Sequence, residues 1–131
     1  MRRWIRASGS LSIFVNFTMH EMAICMGIIQ IVEEKVRERS SSRVRSVCLE
    51  LGTLSHAAPE AIRFCFAVAA MRTVAEGAAL NIVELPGVAW CMSCSKSVEI
   101  ARRGDCCPCC GSYQLQVTAG EQMRVKALEI D

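Results

Sequence analysis

Residues 91–130 read CMSCSKSVEIARRGDCCPCCGSYQLQVTAGEQMRVKALEI, and their order decides the architecture. Two Cys-x-x-Cys pairs, Cys91/Cys94 and Cys107/Cys110, are separated by twelve residues, and Met123–Ile130 then returns to strand character. A strand this near the end of a chain must pair its backbone with something, and the first half of the sequence offers a sheet. The cysteine segment, residues 88–118, therefore reads as an excursion from an α/β domain made of residues 19–87 and 119–131.

The upstream half supports that reading. From Glu21 to Arg39 the apolar residues Met22, Met26, Ile29, Val32 and Val36 recur at three- and four-residue steps, with Glu33, Glu34, Lys35, Arg37 and Glu38 on the wet side. Arg43 to Gly52 switches to period two. Val47, Leu49 and Leu51 share one face and Ser46, Cys48 and Glu50 the other. Pro59 and Glu60 suit a helix entrance, and residues 60–74 follow with Ile62, Phe66, Ala69, Ala70 and Val74 as the apolar side. Ala79–Leu85 is a second strand, stopped by Pro86-Gly87. The order is helix, strand, helix, strand, excursion, strand.

Nine cysteines in 131 residues, six of them between positions 91 and 110, indicate metal ligation in a reducing compartment rather than a disulfide framework. Two facing Cys-x-x-Cys turns bring four thiolates around one ion, the tetrahedral set that zinc takes at about 2.3 Å per sulfur. Four sulfurs leave no open position, so such a zinc is structural. A redox dithiol, a rubredoxin-like iron and disulfides are the alternatives that the ligand set leaves. Cys106 and Cys109 form another Cys-x-x-Cys pair one residue out of register. Gly111, which lets the backbone turn behind the last ligand, favours Cys107 and Cys110. Cys25, Cys48 and Cys65 fall inside helices or a strand and read as small hydrophobes.

Charge excludes a nucleic-acid footprint. Fifteen Lys+Arg face 13 Asp+Glu, and setting aside Arg2, Arg3 and Arg6 of the first 18 residues leaves 12 basic residues against the same 13 acids. A zinc-ribbon interaction module for nucleic acid remains the rival function, on Lys96, Arg102 and Arg103 with Trp90 and Tyr113, but Glu99 and Asp105 interleave. No run has the length of a membrane span. Residues 1–18, MRRWIRASGSLSIFVNFT, have a basic start and a short, interrupted apolar run without a small-x-small cleavage site. They read as a leader: a start assigned too early with Met19 the true one, a disordered tail, or a targeting segment.

A chain starting at Met19 begins Met-His-Glu. Its terminal amine, the His20 amide nitrogen and the His20 imidazole could close two fused chelate rings on Ni(II) or Cu(II), with Glu21 completing the set. The plain alternative is an ordinary histidine beside a helix start. His56, ahead of Pro59, reads as an exposed or capping residue. No nucleophile–base pair, phosphate loop or acidic dyad is present, so an enzyme is not indicated.

MHE at 19–21, VCLELGTLS at 47–55, PEAIRFCF at 59–66, AEGAALNIVELP at 75–86, Cys91-x2-Cys94, CPCCGS at 107–112 and GEQMRVKALEID at 120–131 together resemble the HypA/HybF family of nickel-insertion accessory proteins for [NiFe] hydrogenase. The resemblance spans residues 19–131. It implies an α+β fold: a small mixed or antiparallel sheet packed with two helices, and an inserted four-cysteine zinc-ribbon, rubredoxin-like lobe before the last strand. It further implies His20 as the nickel ligand, helped by the Met19 amine and Glu21, and Cys91, Cys94, Cys107 and Cys110 as zinc ligands. The implied role is a cytoplasmic, non-enzymatic metallochaperone, a monomer or weak homodimer, binding no nucleic acid and no membrane. It would deliver Ni(II) to the hydrogenase large subunit with a GTPase partner, and some members also serve urease maturation. The duplicated Cys106 and Cys109, and a leader that would block the Met19 amine, depart from the family pattern.

Overall fold

Strand β2 (Val44–Gly52) occupies the interior of the main sheet, and its alternating burial explains why: Val44, Val47, Leu49 and Leu51 are buried. The computed structural model describes residues 2–11, 21–40 and 43–131, with residues 8–11 as backbone alone. Around β2 lie β1 (Arg3–Leu11), α1 (Glu21–Glu38), α2 (Pro59–Ala69), β3 (Ala79–Leu85) and β7 (Met123–Ile130). The strand order is β1-β7-β2-β3. β7 runs antiparallel to both neighbours, whereas β2 and β3 are parallel, joined through α2. A mixed sheet with two helices is therefore the architecture, and β7 is the strand on which it depends.

The sheet and helices share one apolar cluster. From α1 it takes Ile24, Cys25, Ile28, Ile29, Val32 and Val36; from α2 Ile62 and Phe66; from β7 Met123, Val125, Leu128 and Ile130. Each large aliphatic buried here contributes about 1.5–3 kcal/mol. The expected α1 stripe is partly corrected: Met26 is 63% exposed, and Ile24, Cys25 and Ile28 point inward instead. MAICMGII is apolar around most of its circumference, so periodicity alone does not fix its rotation. Helix α2 starts at Pro59 as expected but stops at Ala69, short of residue 74. Arg72 adopts a left-handed conformation (φ 64°), and the Thr73 hydroxyl donates to the Ala70 carbonyl (2.6 Å). That turn brings β3 back beside β2.

Of the 18 residues read as a leader, Arg3–Leu11 form β1 against the outer edge of β7. Ile5 and Ala7, two residues apart, are 8% and 0% exposed and belong to the main cluster. The apolar run that draws the eye in the sequence begins only at Leu11, so this pair is easily passed over.

The second sheet is the antiparallel order β5-β4-β6, from β4 (Gly87–Cys91), β5 (Lys96–Ile100) and β6 (Leu115–Ala119). It follows β3 and returns the chain to β7, the position expected for the inserted lobe. Where the two sheets meet, three glycines cross. A Cβ on Gly52 would lie 2.1 Å from the Gly120 carbonyl oxygen, and one on Gly120 (φ +93°) 2.5 Å from the Gly87 Cα. The crossing is sealed by Gly52 N–H donating to Gln122 O (2.9 Å) and Leu54 N–H to Gly120 O (2.8 Å).

Candidate metal centre

The cysteine lobe has little apolar substance of its own. Its buried cluster is Leu54, Ala89, Cys91, Val98, Ile100 and Cys107. Leu54 comes from the loop after β2, so the main domain lends a side chain to the lobe's core. Along the sequence it belongs only to the turn ahead of a helix entrance; the glycine crossing is what brings it here.

Two knuckles of matching geometry close the lobe. After β4, the Cys94 N–H donates to Cys91 Sγ (3.3 Å) and the Ser95 N–H to the Cys91 carbonyl (2.8 Å). In the second, the Cys109 N–H donates to Cys107 Sγ (3.4 Å) and the Gly111 N–H to the Cys107 carbonyl (2.8 Å). The residue after each pair turns through the left-handed region, Ser95 at φ 53° and Gly111 at φ 77°. Gly111 thus has the role its sequence position suggested, and Ser95 does the same work without the steric freedom of glycine.

The knuckles bring Cys91, Cys94, Cys107 and Cys110 together, with all four sulfurs within 4.8 Å of one another. Cys91 and Cys110 approach to 3.6 Å, and Cys94 and Cys107 to 3.8 Å. Four sulfurs about 2.3 Å from one tetrahedral ion lie roughly 3.8 Å apart, so these two contacts match the spacing of a four-thiolate metal site. Cys106 and Cys109 are exposed and stand outside the group.

Electrostatics argue for a cation. The Cys94 thiol is pushed up to about 12 by its hydrogen bonds to neighbouring thiols, Cys110 first, together with burial. Burial opposes ionisation of Cys107 as well, but the backbone N–H groups of Cys110 and Cys109 outweigh it and draw that thiol down to about 6. Four thiolates this close repel one another, and a dication lets all of them ionise near neutral pH. The Lys96 ammonium pairs first with Cys109 and also feels Cys94 and Cys107, while Arg103 pairs with Glu121.

The expected nickel residues fall differently. Met19 and His20 lie outside the described residues, while Glu21 opens α1 and is half-buried. His56 is exposed before α2. Cys25 is buried, donates to the Ile62 carbonyl (3.4 Å), and is pushed up to about 12 by burial and then by Cys65 and Glu21, as suits an inert thiol in a core. No helix among the described residues is long and apolar enough to cross a membrane.

Comparison with known proteins agrees with this architecture. The family model described as "Hydrogenase/urease nickel incorporation, metallochaperone, hypA" matches residues 19–130. Hydrogenase maturation factor HypA 2 of Bradyrhizobium diazoefficiens is 65% identical over 113 residues, 86% of this chain and 100% of the relative. Hydrogenase maturation factor HypA of Azotobacter vinelandii is 51% identical over the same shares. The solution structure of the Ni metallochaperone HypA from Helicobacter pylori superimposes with a TM-score of 0.61, covering 86% of this chain and 97% of that one. At 24% identity that likeness speaks for the fold alone. This chain belongs to the HypA family of hydrogenase/urease nickel-incorporation metallochaperones.

Proposed function

We propose that this protein binds Ni(II) through His20 and helps insert it into the large subunit of [NiFe] hydrogenase, with zinc as a permanent structural ion in the cysteine lobe. The observation that carries the reading is the family match from residue 19 to residue 130, which takes in Met19-His20-Glu21 and all four clustered cysteines. Nitrogen donors from one imidazole, one backbone amide and one terminal amine suit a planar d8 ion such as Ni(II), whereas four thiolates suit zinc. The two metals are therefore separated by donor chemistry. Zinc is retained, and nickel is held by a set that can be taken apart at one end.

The Met19 amine joins the set when the chain begins at Met19; in the longer chain the imidazole acts with other donors, Glu21 foremost. Partners in this reading are the nickel-insertion GTPase, the hydrogenase large subunit and, as in some members of the family, the urease maturation proteins. The work is binding and release in the reducing cytoplasm, with no bond made or broken in a substrate. The protein acts as a monomer or weak homodimer.

Native mass spectrometry during nickel titration tests this reading. The natural protein takes one zinc and one nickel; His20→Ala keeps the zinc and weakens nickel binding by at least about 100-fold. Unchanged nickel affinity in His20→Ala would overturn the assignment. The same spectra give the first residue of the natively expressed chain and so decide whether the Met19 amine is available.

A further inference from the structure

We propose that the outer edge of β7 is a strand-acceptor site for an extended peptide with a cationic start, a large aliphatic residue and a small residue two positions on, and that residues 3–11 are its tethered ligand. The acceptor lies within the part of the chain matched by the family model, residues 19–130, whereas the strand seated on it lies before that part. The edge of β7 thus belongs to the family-matched part of the chain, and the segment that occupies it does not. An exposed edge strand presents a row of backbone donors and acceptors, which is what an added strand uses.

Three features of the seat define its ligand. Arg3, Trp4, Ile5 and Arg6 pair in register with Ile130, Glu129, Leu128 and Ala127, so the main chain is held along its length. Ile5 and Ala7 enter the core cluster beside α1, at 8% and 0% exposure, and supply selectivity at alternate positions. Trp4 stays 52% exposed, so the intervening positions face outward. The third feature is charge. Glu129 stands opposite Trp4, and Asp131, already paired with Arg45, also feels the positive charge of Arg2. The seat thus favours a chain that begins with basic residues, as Arg2 and Arg3 do here.

Strand β1 ends the sheet and pairs with β7 alone, its register shifting between Arg6 and Gly9, whereas β2 is held between β7 and β3. A form of the protein without residues 3–11, or with them displaced, presents the same edge to a strand of that chemistry from another chain.

The test uses the full chain carrying Ile5→Glu and Ala7→Glu, which unseats β1 by placing two charges at buried positions. A fluorescein-labelled peptide of residues 2–11 is titrated against it and against the natural protein, with anisotropy as the readout. The double variant is expected to bind saturably, at least about tenfold more tightly than the natural chain, whose edge is occupied. The same peptide carrying both substitutions is expected to lose that binding. Equal binding to both proteins, or by both peptides, would overturn the proposal. If the double variant does not fold, hydrogen exchange in the natural chain decides. The proposal requires β7 amides facing β1 to exchange by a partial opening, ahead of those facing β2. Exchange of both sets only at the rate of global unfolding would refute it.

Discussion

The two sheets of this protein solve the same problem with different means. Among the described residues, the β1-β7-β2-β3 sheet and its helices bury twenty side chains in one cluster, whereas the cysteine lobe buries six, two of which are Cys91 and Cys107. The first is an ordinary apolar core that orders itself. The second has too little hydrophobic area to offset the entropy of its loops, and one of its six residues, Leu54, is on loan from the main domain. In the proposed reading an ion takes the place of a core where the chain is short. A site built for stability then differs in kind from one built for release, because the first must be closed on all sides.

The largest effect that could break this comparison is loss of a clustered thiol. In the proposed reading Cys107→Ser removes a ligand of a structural metal that would contribute on the order of 10 kcal/mol to folding, so the β4–β6 lobe should unfold while helix content persists. Circular dichroism with a zinc assay checks it; a native-like lobe without metal would contradict the contrast. Next comes the glycine crossing. Gly52→Ala puts a methyl 2.1 Å from the Gly120 carbonyl oxygen, and we expect at least about 3 kcal/mol of destabilisation in denaturant unfolding. Leu54→Ala should cost about 2–3 kcal/mol, and the loss should appear as weaker zinc retention rather than a lower melting point of the main domain. A shift of the main transition alone would mean that Leu54 serves the wrong core.

The smallest effect is a pH dependence in the main sheet. Arg45 holds the Asp131 carboxyl below its usual range, through hydrogen bonds of 2.8 and 2.9 Å. A carboxyl with a depressed folded pKa stabilises the fold above its unfolded value of about 3.9, and that contribution disappears as pH falls through the folded value. Asp131→Asn should therefore lower the melting temperature of the main domain slightly at pH 7 and not at all at a pH low enough to protonate the folded carboxyl. An equal difference at both pH values would assign the effect to packing.

Much of this is legible in the sequence. The strands Ala79–Leu85 and Met123–Ile130 can be read to their end residues, because alternation and flanking turn residues are local signals. Gly111, again a local feature, singles out the four thiols that cluster from Cys106 and Cys109. What escapes is non-local. The rotation of α1 depends on what packs against it; the end of α2 depends on the return to β3. Leu54 reaches the lobe only because three glycines permit two sheets to touch. Strand β1 has a buried pair but no long alternation, so nothing in its sequence announces a partner roughly 120 residues away, the separation of Ile5 from Leu128. Met19 and His20 are legible as chemistry rather than as structure.

In the proposed reading a metal ion, rather than apolar burial, holds the cysteine lobe, and hydrogen exchange before and after zinc chelation tests this most directly. Amides of β4, β5 and β6 should lose their protection on chelation while those of α1, β2 and β7 keep theirs. Protection of the lobe that survives removal of the metal, or both sheets opening together, would contradict it.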